Sequence, residues 1–195
     1  MNRFEVLTLF PEVFSALDSG IIKKAVDNGL FKVNLTQIRD FSTDKHHKTD
    51  DYSFGGGAGM IMTPGPIHDA ITHVDGNHEC KRIYMSPRGV PLTQKLVKEL
   101  SEEENVLILC GSYEGVDQRV IDLDIDLEIS IGDYILTSGE LPALVLINAV
   151  ARYIPGVLGS IESTTEESFS ENLLEYPQYT RPQNFMGLEV PAVLP

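Results

Sequence analysis

The chain has 195 residues, and its 29 Asp and Glu against 15 Lys and Arg leave a formal net charge of −14. With 42% apolar and 23% charged residues it reads as globular rather than disordered or fibrous, long enough for one domain with a sizeable core, with or without an appendage. No apolar run nears about 18 residues, the N-terminus lacks a signal pattern, and only Cys80 and Cys110 are present, so membrane, secreted and disulfide-framework classes are set aside for a reducing cytoplasm. The acidity also speaks against a generic nucleic-acid binder, whose footprint is basic.

Taken in order, short β-branched runs alternate with helical patterns. Phe4–Phe10 reads as a first strand, and Pro11 suits a helix start with Val13, Phe14 and Leu17 on its apolar face. Gly20–Val26 continues helically until Asn28-Gly29, and Phe31–Ile38 alternates as a strand. Residues Arg39–Phe54 are polar and irregular and lead into Gly55-Gly56-Gly57-Ala58-Gly59. Pro64–Thr72 is helical, Arg82–Met85 is a short strand, Ser86–Gly89 a loop, and Leu92–Leu100 an amphipathic helix. Val106–Cys110 is a continuous apolar run, the pattern of a central parallel strand. Leu127–Ile131 is another strand, and Leu141–Tyr153 an apolar helix. Ser160–Pro182 is rich in Ser, Thr, Glu and Pro without a period, and reads as a linker or a loop ordered by a partner. The β-α alternation predicts an α/β fold, an open, mostly parallel sheet with helices on both faces.

Three strands run into glycine-bearing polar loops: Tyr84–Gly89, Cys110–Gly115 and Ile129–Gly139. Open α/β sheets bind ligands beyond the carboxyl ends of their strands, and glycines there expose bare backbone groups. Plain turns would use the same residues, so each loop taken singly leaves both readings open. No P-loop occurs, and Gly55–Gly59 follows a polar loop rather than a strand, so it fails the context of a dinucleotide fingerprint. His46 and His47 are adjacent and do not share a helix face, so Asp44–Asp51 reads as a solvated loop rather than a metal site. With Arg39 it is one of the few basic stretches and a candidate for touching phosphate. Cys110 reads as a small core residue rather than a nucleophile. Arg152 and Arg181 fit capping or snorkelling cations, and Glu166, Glu167, Glu171 and Glu175 a solvated acidic face.

Read together, these segments carry a resemblance. Leu9-Phe10-Pro11-Glu12, Arg39-Asp40-Phe41, Asp50-Asp51-Tyr52 with Gly55–Met60, Ser86-Pro87 and Cys110-Gly111 with Tyr113-Glu114-Gly115 come first. They continue in order with Ser130–Tyr134, Gly139-Glu140-Leu141, Pro155–Gly159 and Tyr179–Pro182. Over essentially its whole length the chain resembles the bacterial tRNA (guanine-N1)-methyltransferase family, TrmD. The resemblance implies a SPOUT-type fold with a C-terminal deep trefoil knot, which the general rarity of knots would not have suggested. It implies a cytoplasmic homodimer that binds S-adenosylmethionine and methylates N1 of the guanine immediately 3′ of a tRNA anticodon. Carried over by motif, the cofactor pocket comprises Tyr84, Met85, Ser86 and Pro87, then Gly111, Tyr113, Glu114 and Gly115. Its third side is Ser130, Ile131, Gly132, Tyr134, Leu136 and Gly139. The implied catalytic positions are Glu167 as base and Arg152 at the end of the preceding helix, with the linker completing the partner subunit's site. Magnesium dependence is implied as well, with Glu114 and Glu167 as indirect contributors and no ligand identified.

The implied organisation is a catalytic domain over 1–159, a linker over 160–182 and, over 183–195, the start of a C-terminal tRNA-binding domain that the chain otherwise lacks. Four loop positions depart from the family's pattern. Glu167 stands where Asp is usual, Ser112 replaces Arg, Ser138 replaces Gly, and Gln118 replaces Glu. If position 138 needs a positive φ, Ser138 is strained. These departures define the alternative reading, a catalytically weak or altered-substrate S-adenosylmethionine-binding paralogue with a regulatory role. The residues without the resemblance support only an α/β nucleotide-binding module.

Overall fold

Residues 3–159 and 177–192 are described by a computed structural model, in which the chain falls into two units, Met1–Ile161 and Glu162–Pro195. In the first unit β1 (Arg3–Thr8), β2 (Lys32–Gln37), β5 (Lys81–Pro91), β6 (Asn105–Cys110) and β7 (Leu127–Ser130) form one sheet. Its order is β2-β1-β6-β5-β7, and every pairing is parallel. Parallel neighbours need long crossovers. These are supplied by α1 (Gly20–Asp27), α2 (Pro64–Asp75), α3 (Gln94–Glu102) and α4 (Gln118–Asp124), and α5 (Glu140–Ala151) follows the last strand.

The two-residue period of the strands divides the core. Phe4, Val6, Ile108 and Cys110 face α1, α3, α5 and the turn around Phe14. Leu7, Leu9, Leu107 and Leu109 face α2 and α4. Side chains on alternate residues thus fill opposite layers, and the central β6 is buried along its whole length, as its unbroken apolar run predicts. At one corner Arg82, buried at the start of β5, donates through Nε to Asp75 Oδ2 at 2.7 Å, at the end of α2. The backbone N–H groups of Glu79 and Cys80 donate to the other Asp75 oxygen, so the buried carboxylate is fully engaged.

Several boundaries differ from the sequence reading. Pro11–Leu17 is a 3-10 helix rather than an α-helix. Ser86–Gly89, read as a loop, belongs to β5. The strand bulges there, so that Met85 and Val90 both pair with Ile129 of β7. Gly89 is what permits this, since a Cβ would stand 2.4 Å from the Glu128 carbonyl carbon. Within the stretch read as irregular, β3 (Asp50–Tyr52) pairs antiparallel with β4 (Met60–Met62). The short α4 was not predicted. Asp117 caps it by accepting the Arg119 N–H.

In the second unit β8 (Asn184–Phe185) and β9 (Leu188–Glu189) form a small hairpin. Met186 and Gly187 turn it, both with positive φ, as a two-residue hairpin turn demands. The predicted linker's residues 160–176 lie outside the described residues. Among the described residues no helix is long and apolar enough to cross a membrane.

Candidate active site

Beyond the carboxyl ends of β5, β6 and β7 lies a cleft of about 950 Å³. Its walls are the bulged end of β5, the loop after β6, the loop from β7 to α5, and the β3–β4 hairpin. The loops are locked together through their backbones. Gly139 N donates to Gly111 O at 2.8 Å, tying the third loop to the second. A Cβ on Gly139 would lie 2.9 Å from Cys110 Cα and Gly111 N, so only glycine allows this approach. The hairpin joins the second loop through Glu114 N to Met60 O at 3.0 Å and Met62 N to Gly115 O at 2.9 Å.

Inside, Tyr84 is buried with its ring against Gly111, where a Cβ would come within 2.9 Å of it. Burial, reinforced by the neighbouring Glu128, raises its phenol above the usual value, so it is a neutral wall and hydrogen-bonding group near neutral pH. Tyr113 sits in the left-handed region at φ 58 and accepts a 3.4 Å hydrogen bond from Arg39 Nη2 at its hydroxyl. A bulky residue in that region is held there by its surroundings. Arg88 donates to Gln118 Oε1 at 3.1 Å on the rim. Arg119 grips Asp117 through Nε and Nη2, which lowers the Asp117 carboxyl. Ile129, Ile131, Leu136 and Met85 supply apolar lining. Mostly apolar walls with a few convergent polar groups define a ligand site for a nucleoside-sized molecule.

All the residues expected around the cofactor line this one cleft: Tyr84, Met85, Ser86 and Pro87 on β5, and Gly111, Tyr113, Glu114 and Gly115 after β6. Ser130, Ile131, Gly132, Tyr134, Leu136 and Gly139, from β7 onward, complete it. Arg152 is elsewhere. It caps the far end of α5, so helical rise alone puts its backbone about 15 Å beyond Pro142, the α5 residue that lines the cleft of the same chain. Glu167 lies outside the described residues. Ser138 is absent from the positive-φ residues, so the strain expected there does not exist. Burial, with Glu140 nearby, pushes the Cys110 thiol well up, consistent with an inert core residue. Sequence reasoning missed the hairpin wall, including Asp51, Tyr52 and Phe54. Two short runs bracketing a glycine cluster were the available signal.

The fold and cleft define an α/β protein with an open cleft over the carboxyl ends of its sheet strands. Comparison with known proteins makes this specific. The family described as tRNA (Guanine-1)-methyltransferase TrmD matches residues 2–195. A protein of Clostridioides difficile (strain 630) named tRNA (guanine-N(1)-)-methyltransferase is 54% identical, the match covering 98% of this chain and 85% of that protein. One of the same name from Carboxydothermus hydrogenoformans is also 54% identical, over 98% of this chain and 76% of its own. The crystal structure of tRNA (m1G37) methyltransferase from Aquifex aeolicus superposes with a TM-score of 0.83 at 40% identity, covering all of this chain and 83% of that one. The chain belongs to the TrmD family.

Proposed function

We propose that the chain is an S-adenosylmethionine-dependent tRNA methyltransferase of the cytoplasm, acting on N1 of the guanine immediately 3′ of the anticodon. The observation that carries this reading is the convergence of three separate glycine-bearing loops on one cleft in a chain with full-length family membership. The cleft suits the cofactor by size and by its mix of apolar wall, tyrosine hydroxyls and loop backbone. The residues that hold it are those of the three loops. The trefoil knot expected of the family is part of the same proposal, and the backbone clasp between Gly139 and Gly111 supports it.

S-adenosylmethionine, when bound, supplies a methyl group already activated by its sulfonium sulfur. The chain's own work is alignment and proton removal. Guanine N1 carries a proton at neutral pH, so its lone pair becomes available only as a base takes that proton. Glu167 is the proposed base, and the Arg152 guanidinium stabilises the negative charge that develops toward O6. The distance between Arg152 and the cleft of its own chain supports a site shared between two copies. So does α5, which leaves Leu141 and Val145 half-exposed one turn apart. A second copy bringing Arg152 to that cleft makes the homodimer the working unit. Among the described residues no three His, Cys, Asp or Glu side chains converge to hold a metal ion, so no step is assigned to magnesium.

The decisive experiment is methyl transfer from labelled S-adenosylmethionine to a tRNA transcript with guanine 3′ of the anticodon. A transcript with adenine there and cofactor calorimetry run alongside. Transfer to the guanine transcript alone is expected. Arg152→Ala and Glu167→Ala should each lower transfer by at least about a hundredfold with unchanged cofactor affinity. Cofactor binding without transfer at saturating tRNA would overturn the reading in favour of the weak paralogue.

A further inference from the structure

Among the described residues, Tyr52 and Phe54 are the most exposed aromatic side chains. Tyr52 ends β3 and Phe54 enters the turn that follows, both line the cleft, and they are 81% and 102% exposed. Phe4, Phe14 and Phe31 of the same unit are buried. A phenylalanine wholly in water forgoes the stabilisation that burial would give its ring, and such a ring beside a cleft is available to a partner.

The platform is built. Thr63 N donates to Thr49 O at 2.8 Å and Asp117 N to Met62 O at 3.1 Å, so the hairpin is tied at its base and along β4. The turn repeats left-handed glycines at 55, 56, 57 and 59, and Ser53 Oγ donates to Gly56 O at 3.0 Å. Gly59 lies against Glu114 of the second loop, where a Cβ would come within 2.4 Å of Cγ.

Charge indicates the occupant. In a chain of net charge −14, the stretch leading into β3 exposes Lys45, His46, His47 and Lys48. Its one internal acid, Asp44, turns its carboxylate onto the N–H groups of His46 and Lys48. In the proposed homodimer a second copy sits against α5 rather than on this hairpin, and an apolar peptide has no use for the cations. A polyanion whose planar bases stack on aromatic rings uses both features. We propose that Tyr52 and Phe54 form a stacking platform for an unpaired base of the substrate RNA, adjacent to the base that enters the cleft, with the Lys45–Lys48 turn beside the phosphates. This inference rests on the functional reading above, and it adds the groups that hold the RNA open at the cleft mouth.

The chain contains no tryptophan, so Phe54→Trp creates a single reporter. Its emission should be quenched by titration with tRNA in the presence of saturating S-adenosylmethionine. Phe54→Ala should raise the tRNA KM about tenfold, a larger change than any in kcat at saturating tRNA or in cofactor affinity. Phe54→Trp should bring KM back toward wild type, as a ring-for-ring replacement does and a purely structural side chain does not. An unchanged KM in Phe54→Ala, or tryptophan emission blind to tRNA, would overturn the proposal. A dimer-to-monomer shift of Phe54→Ala in sedimentation would overturn it too, by making a second copy the occupant. Wild-type protein separates the two readings. If it fails to methylate tRNA, the functional reading falls and takes the platform with it. If it methylates while the variants match it, the platform alone is wrong.

Discussion

Gly139 shows how much one hydrogen atom in place of a methyl group decides. Its Cα sits where a Cβ would press on Cys110 and Gly111 backbone at 2.9 Å, and backbone cannot move aside as a side-chain tip can. Gly139→Ala is therefore expected to cost about 1–3 kcal/mol, by forcing apart the second and third loops. It should weaken S-adenosylmethionine binding more than tenfold, since the same displacement opens the cleft. Thermal unfolding with cofactor calorimetry checks both, and a wild-type result in either would mean that the clasp is loose. The neighbouring Ser138 teaches the opposite lesson. A family glycine replaced by serine looked strained in sequence, yet its backbone stays out of the left-handed region. A residue letter gives the freedom available, and only φ says whether it is used.

At the scale of elements, the corner joining α2, β5 and β7 is held by charge. Arg82 and Asp75 are both buried, and Arg82→Ala would leave the Asp75 carboxylate without its counter-ion at a cost of about 3–5 kcal/mol. Urea denaturation measures this, and a loss below about 1 kcal/mol would show that water replaces the pair. Asp126 closes the same corner by accepting the Arg82 N–H and contacting His78. Burial opposes its charge most, but these partners and Lys81 outweigh it, and its carboxyl is held low. A carboxyl lowered by folding adds stability that is fully present above its ordinary value, about 4, and is lost as pH falls through its folded value. The melting temperature should therefore drop on acidification below about pH 4, and Asp126→Asn should shrink that drop. The long strands and helices of this layer were legible because each repeats an apolar period several times. The β3–β4 hairpin and α4 were not. Strands of three residues and a helix of seven contain too few repeats; β4 is completed by hydrogen bonds from the second loop, and α4 by its Asp117 cap.

For the whole molecule, the separation of Arg152 from its own cleft makes a test possible without any further structure. A variant with a blocked cleft, Gly132→Val, and Arg152→Ala should each be inactive alone. In mixed dimers one intact site combines the unaltered cleft of one copy with the unaltered Arg152 of the other. Random mixing predicts recovery of about a quarter of wild-type activity. No recovery on mixing and refolding would place Arg152 and the cleft in the same subunit's site. Net charge belongs to this scale too. The acidic excess sets a general repulsion of RNA, and the exposed basic turn before β3 is a local exception to it. Overall charge therefore bears on how tightly and at what salt RNA is held, and loop chemistry bears on whether it is the substrate.

By itself the sequence determined the layer order, the buried central strand, the three glycine loops and the family, because each is written in local periodicity or in ordered motifs. Tertiary structure alone decided that the loops meet in one cleft and that β5 bulges through Ser86–Gly89. It also decided that Tyr52 and Phe54 face water. Those outcomes depend on contacts between residues far apart in the chain, and no local pattern records which backbone will lie against which glycine.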